Sequence, residues 1–244
     1  NKEHHKDCII VPKKNLQSKW RKEIRNFISN NYLLECNIVK TPLGTSVGLC
    51  EDVNIHPRLE YVSRENPSYE IFRNSSFSIS ASSDDWKEKL VDQLPESVAY
   101  IFKAAIKRFK TIEEDVLLRR LYAYLLNITM PDFDLLIVDE AHNFKHGTQG
   151  EVSYRNQVVS RLMGVIYAED EVIFREFPEL KAKLKPLSGK VILLSATPLD
   201  NGVYEIANQL DCFLPVHPYR NLETEAKSKK IKEDLGTFMI RGVM

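Results

Sequence analysis

Four apolar residues, Leu135-Leu136-Ile137-Val138, run straight into two acids, Asp139-Glu140. The run is too short for a helix and lacks polar alternation, so it predicts a strand buried on both faces, as inside parallel sheets. Cys8-Ile9-Ile10-Val11, ended by Pro12, and Val191-Ile192-Leu193-Leu194 share the pattern. Between these runs apolar residues recur at helical spacing, first at Leu16, Trp20, Ile24, Phe27 and Ile28 within 15–28. Further helices are predicted over 96–128 (two, split near Lys110-Thr111), 154–163, 170–183 with a break at Pro178, and 203–210. Strands are predicted at 37–40 and 77–80, with a long connection holding some short strands over 41–69. The Ser/Asp cluster at 82–85 is placed to cap a helix beginning near Trp86. Buried strands alternating with helices make the fold class α/β, a doubly wound parallel sheet flanked by helices.

The 244 residues suffice for one large domain or two small ones. No apolar run reaches the roughly 18 residues of a membrane-spanning helix, and the polar start, Asn1 to Asp7, does not read as a signal peptide. The absence of an initiator Met reads as the interior of a longer gene product. Cys8, Cys36, Cys50 and Cys212 are scattered without close pairs, which predicts reduced thiols and a cytoplasmic setting. The formal net charge is zero, yet residues 1–30 hold eight Lys/Arg against three acids, a local patch able to meet phosphates.

Ligands of such sheets bind beyond the carboxyl ends of the strands. Paired acids there suit two tasks, one holding Mg²⁺ on nucleotide phosphates and one orienting an attacking water. A phosphate loop of the form G-x-x-x-x-G-K-[ST] is absent from this sequence. Residues 41–48, TPLGTSVG, have glycines without the Lys. Ser188-Gly189-Lys190 precedes a strand, where it reads as a turn entering the sheet.

Extended to Asp139-Glu140-Ala141-His142, the segment resembles motif II of superfamily 2 helicases and translocases. Residues 191–215 resemble motif III and its continuation in the Snf2-like branch, matching at Thr197, Pro198, Leu199, Asn201, Glu205, Leu210, Phe213, Leu214 and Pro215. Residues 8–27 resemble motif Ia at Val11, Pro12, Leu16, Trp20 and Glu23, and residues 76–83 resemble a degenerate motif Ib. Two departures stand out. Asn143-Phe144-Lys145-His146 replaces the usual Arg-Ile-Lys-Asn after motif II, and only Arg241 remains of the two arginines usual near the end of the domain.

The resemblance implies a first RecA-like motor domain over 1–244, incomplete at its N-terminus, with helical insertions near 84–130 and 150–188. It implies ATP and Mg²⁺ as cofactors, with the phosphate loop outside this sequence. Asp139 would hold Mg²⁺, Glu140 would position water, and His142 would couple nucleotide state to Ser195, Ala196 and Thr197. Pro12, Lys13, Lys14 and Lys145 would meet a nucleic-acid backbone. The implied partners are DNA, duplex in most Snf2-like proteins, and a second RecA-like domain of the same parent chain. The implied activity is ATP-driven translocation in a bacterial or archaeal cytoplasm, with the fragment alone inactive. Strand separation on DNA or RNA is the alternative. A non-catalytic scaffold and a bare nucleic-acid-binding module are the rivals from other classes. Trp20 reads as core, as do Phe102, Phe109, Tyr122 and Tyr124.

Overall fold

The computed structural model describes residues 6–29, 38–41, 44–47, 53–62, 68–79, 83–111, 113–148, 154–196, 202–220 and 222–238. Thr197, Pro198, Leu199, Asn201, Arg241, Cys36 and Cys50 lie outside the described residues.

The chain is α/β. It opens with β1 (Lys6–Val11) and α1 (Lys14–Ser29), followed by a two-stranded antiparallel ribbon, β2 (Ile38–Thr41) and β3 (Gly44–Val47). Thr41 and Gly44–Val47 of the glycine-bearing stretch are therefore strand residues of this ribbon. Next come β4 (Val53–His56), β5 (Ser68–Arg73), α2 (Trp86–Asp92), α3 (Glu96–Arg108), α4 (Asp115–Thr129) and β6 (Leu135–Asp139). The remaining elements are α5 (Tyr154–Leu162), α6 (Glu171–Glu176), α7 (Pro178–Lys181), β7 (Val191–Leu194), α8 (Tyr204–Phe213) and α9 (Thr224–Phe238). The main sheet has five strands in the order β4-β5-β1-β6-β7, and every pairing in it is parallel. An open parallel sheet flanked by helices is the arrangement expected of a RecA-like domain.

The alternation hidden in the all-apolar strands is real. Ile9 and Val11 of β1 face α1, where Val53 and Ile71 join them under Leu16, Trp20 and Ile24. Cys8 and Ile10 face the other way, with Phe72, Leu136 and Val138, into the large helical layer. Each residue of the β1 run thus has a dry partner on its own side, which is why that run carries no polar residue.

That layer is built mainly from the two segments expected as insertions. At its centre lies α4, whose Leu118, Leu121, Tyr122, Tyr124, Leu125 and Leu126 are all fully buried. Burying each such side chain is worth about 1.5–3 kcal/mol. The two tyrosine hydroxyls find partners: Tyr122 donates toward Leu59 O or Gln93 Oε1, and Tyr124 toward Asp170 Oδ2 at 2.6 Å or Val165 O. Phe102 and Phe109 are buried here too, as expected.

Two local predictions are corrected. Phe77, Ser78 and Ile79 do not form a strand; a 3-10 turn at Asn74–Phe77 leads into irregular chain, and Ser80 lies outside the described residues. The strand is β5, which starts at the end of the expected connection and runs past it, and polar Ser68 and Glu70 break its apolar pattern. The helix at Trp86 begins where expected, but Asp85 makes no capping hydrogen bond and instead pairs with Lys89 at 2.7 Å. Pro178 starts α7 at its first turn, where its missing N–H costs nothing. Ser188-Gly189-Lys190 is a turn, with Lys190 N donating to Ser188 Oγ at 3.2 Å, and enters β7 as predicted. No helix among the described residues is long and apolar enough to cross a membrane.

Candidate functional site

The register brings four carboxyl ends to one rim. Ile10 pairs with both Phe72 and Val138, and Asp139 stands opposite Leu194. Pro12-Lys13-Lys14 after β1, Asp139-Glu140 at the end of β6 and Ser195-Ala196 after β7 therefore lie along the same edge. Lys13 and Lys14 are exposed at the start of α1, and Pro12 is half-buried. These residues, singled out in the sequence, thus lie along one edge of the sheet; Thr197 is outside the described residues.

Neither acid caps a helix. Asp139 accepts a hydrogen bond from the indole N–H of Trp20, with Nε1 to Oδ2 at 3.0 Å. Glu140 is the one non-glycine residue with positive φ among the described residues, at φ 53° and ψ 51° in the left-handed region. A carboxylate-bearing residue held there costs roughly 1–2 kcal/mol relative to right-handed backbone. The turn is pinned by Asn143, whose backbone N–H (3.0 Å) and side-chain Nδ2 (2.8 Å) both donate to Glu140 O.

His142 stands between the two strand ends. Its Nδ1 lies 3.2 Å from Glu140 Oε2 and 3.2 Å from Ser195 Oγ. The ring therefore bridges the acid after β6 and the hydroxyl after β7, the pairing that the Ser195 expectation required. Ala196 is exposed beside it.

The loop after the acids is gripped from the helical layer. Arg155 of α5 donates through Nη2 to Asn143 O at 2.9 Å, and its guanidinium lies 5.0 Å from the Phe144 ring. Burial lowers the Arg155 pKa from the ordinary arginine value. Asn156 donates to Gly147 O at 2.9 Å and Asn208 of α8 to Lys145 O at 2.9 Å. Phe144 meets Phe213 edge-on at 4.9 Å between centroids. Gly147 takes φ +65°, and a Cβ there would stand 3.1 Å from Asn208 Cβ. Lys145 is half-buried in this loop, whereas Lys13 and Lys14 are exposed.

Trp20 and Gln17 escaped the residue-level reading of the site. Helical spacing put Trp20 on the inward face of α1, correctly, since it packs on the Ile9, Val11 and Ile71 cluster. That spacing carries no signal of its second role at Asp139. Gln17 is buried and donates to His56 O (3.0 Å) and Ile71 O (2.9 Å), fastening α1 to the ends of β4 and β5.

The donor set suits Mg²⁺. Among the described residues no group of three His, Cys, Asp or Glu forms a cage. Mg²⁺ needs none, since it retains waters and takes one or two carboxylates plus substrate phosphates. Asp139, half-buried at the rim with one oxygen engaged by Trp20, meets that requirement.

No protein-family model matches the chain, and no curated protein matches it.

Proposed function

We propose that this chain is the first motor domain of an ATP-dependent DNA translocase, a superfamily 2 member of Snf2-like type. The observation that carries the reading is the bridge from Glu140 through His142 to Ser195 at the carboxyl ends of β6 and β7. Paired acids at this edge, joined to the neighbouring strand end by an imidazole, suit phosphoryl transfer to water.

Asp139 would hold Mg²⁺, which when bound neutralises charge on the phosphates. Glu140 orients and deprotonates the attacking water; its left-handed backbone, fixed by Asn143, sets where its carboxylate points. His142 keeps Glu140 in register with Ser195, so that a shift at the end of β7 is felt at the acid. Lys13 and Lys14, exposed at the start of α1, are suited to a nucleic-acid backbone.

The reading requires a phosphate-holding strand, loop and helix from outside this sequence. Parallel sheets are covered on both faces. On β7, at the sheet edge, Ile192 is 44% and Leu194 39% exposed. That uncovered apolar seat, one strand away from Asp139, is where such a unit would pack.

The test is ATP hydrolysis by the full-length natural protein with duplex DNA, single-stranded DNA or RNA, alongside Glu140→Gln. Duplex-stimulated turnover abolished by Glu140→Gln is the expected result. Stimulation by single strands or RNA alone would replace translocation with strand separation. No turnover with any nucleic acid would leave a scaffold.

A further inference from the structure

Trp20 occupies an unusual position for a packing residue. Its ring belongs to the inward stripe of α1 with Leu16 and Ile24, yet its N–H is spent on Asp139 Oδ2 at 3.0 Å. An indole N–H is a donor only and an ionised carboxylate an acceptor only, so the contact is charge-assisted and fixes the rotation of the carboxylate. The same two residues, with Leu16, Lys19 and Glu23, line a cavity of about 310 Å³. Lys19 brings an ammonium to that cavity and Leu16 and Trp20 an apolar wall, so the place for a cation is the rim beside it and not its interior.

We propose that Trp20 is the positioning residue of the cation site: by holding Oδ2 it presents the other oxygen of Asp139 to a hydrated divalent cation at the strand-end rim. The inference rests on the reading of Asp139 as a cation ligand. It assigns a role to the helix whose first turn carries Lys13 and Lys14. The element suited to meet a nucleic-acid backbone then also sets the attitude of the cation-binding carboxylate. Partners that orient a ligating carboxylate typically change cation affinity by about 10–100-fold when removed.

The test uses the full-length natural protein with Mn²⁺ as a paramagnetic probe and Mg²⁺ as its diamagnetic counterpart, ATP present. In the unaltered protein, Mn²⁺ should broaden the indole N–H resonance of Trp20 and spare that of Trp86, which lies in the opposite layer. Mg²⁺ should shift the Trp20 resonance, and Asp139→Asn should remove both effects. Trp20→Phe, which keeps an aromatic ring and loses the donor, should weaken Mn²⁺ binding by about 10-fold or more with the melting temperature little changed. Unchanged Mn²⁺ affinity in folded Trp20→Phe overturns the positioning role and leaves Asp139 as a ligand. Broadening by Mn²⁺ without any Mg²⁺ shift overturns it without recourse to the variant. Mn²⁺ binding indifferent to Asp139→Asn overturns the cation site itself, and this inference with it.

Discussion

His142 Nδ1 lies 3.2 Å from Ser195 Oγ, joining two strand ends whose residues are 53 positions apart in the chain. The same nitrogen is as close to Glu140 Oε2, so one imidazole serves both sides. Groups that share a partner in this way do not act independently.

His142→Ala and Ser195→Ala should therefore be non-additive. In a double-mutant cycle on ATP turnover by the full-length protein, a coupling of roughly 0.5–3 kcal/mol is expected. Additivity within about 0.3–0.5 kcal/mol would show that the contact carries nothing.

Glu140 should reveal its backbone strain when its side chain is removed in two ways. At an ordinary position Ala is more stable than Gly; at φ 53° the order should reverse, with Glu140→Gly exceeding Glu140→Ala by roughly 1 kcal/mol. Urea unfolding of the two variants checks this, and Ala equal to or above Gly would remove the strain argument. Both variants should lose turnover, because the carboxylate is gone.

Stability should plateau in mildly acid solution because of His56. Its Nε2 contacts Glu70 Oε2 at 2.5 Å and its Nδ1 contacts Glu60 Oε1 at 2.8 Å. Burial alone would lower its pKa, but the hydrogen bonds and charges of Glu70 and Glu60 outweigh burial and hold it above 6.5. For Glu70, burial works upward, and the bonds from His56, Ser68 and Asn54 prevail to hold it below 4.5. The His56 contribution is full below the unfolded histidine value and fades as pH rises through the elevated folded one. The Glu70 contribution is full above the unfolded glutamate value and fades as pH falls through the depressed folded one. The joint maximum falls between about pH 4.5 and 6.5. His56→Gln should flatten the alkaline side in pH-resolved denaturation; an unchanged profile would discard the ion triad.

Deep in the helical layer, fully buried Arg161 meets fully buried Asp170, Nε to Oδ2 at 2.7 Å and Nη2 to Oδ1 at 3.1 Å. Asp170→Ala should cost about 3–5 kcal/mol, because it removes the buried carboxylate shared by Arg161 and Arg120 and leaves Arg161 with Glu169 and Gln157 O alone. Replacing both with apolar residues, Arg161→Met with Asp170→Leu, should recover much of that loss. Calorimetry on the single and double variants decides; a double variant less stable than Asp170→Ala would mean the pair is stabilising on balance.

What the sequence settled by itself was everything carried by neighbours in the chain. The runs at 8–11, 135–138 and 191–194 lie within β1, β6 and β7; the first two are interior to the sheet, whereas β7, expected to be buried, is the edge strand of the described sheet and leaves Ile192 and Leu194 exposed. Asp139, Glu140 and His142 were legible for the same reason, being consecutive or nearly so at one strand end. Strand β5 was not legible. Its Glu70 is acceptable in a buried strand only because His56, Ser68 and Asn54 supply hydrogen bonds from elsewhere, and local pattern contains no record of them. The bond from Trp20 to Asp139 spans 119 positions, and it exists because Gln17 and the Ile9–Val11 face seat α1 beside the end of β6. Periodicity assigned Trp20 to the inward face of its helix. Which atom that face would meet was decided only when helix and sheet packed, because a hydrogen bond needs a position within about 3 Å and spacing along the chain specifies only a direction.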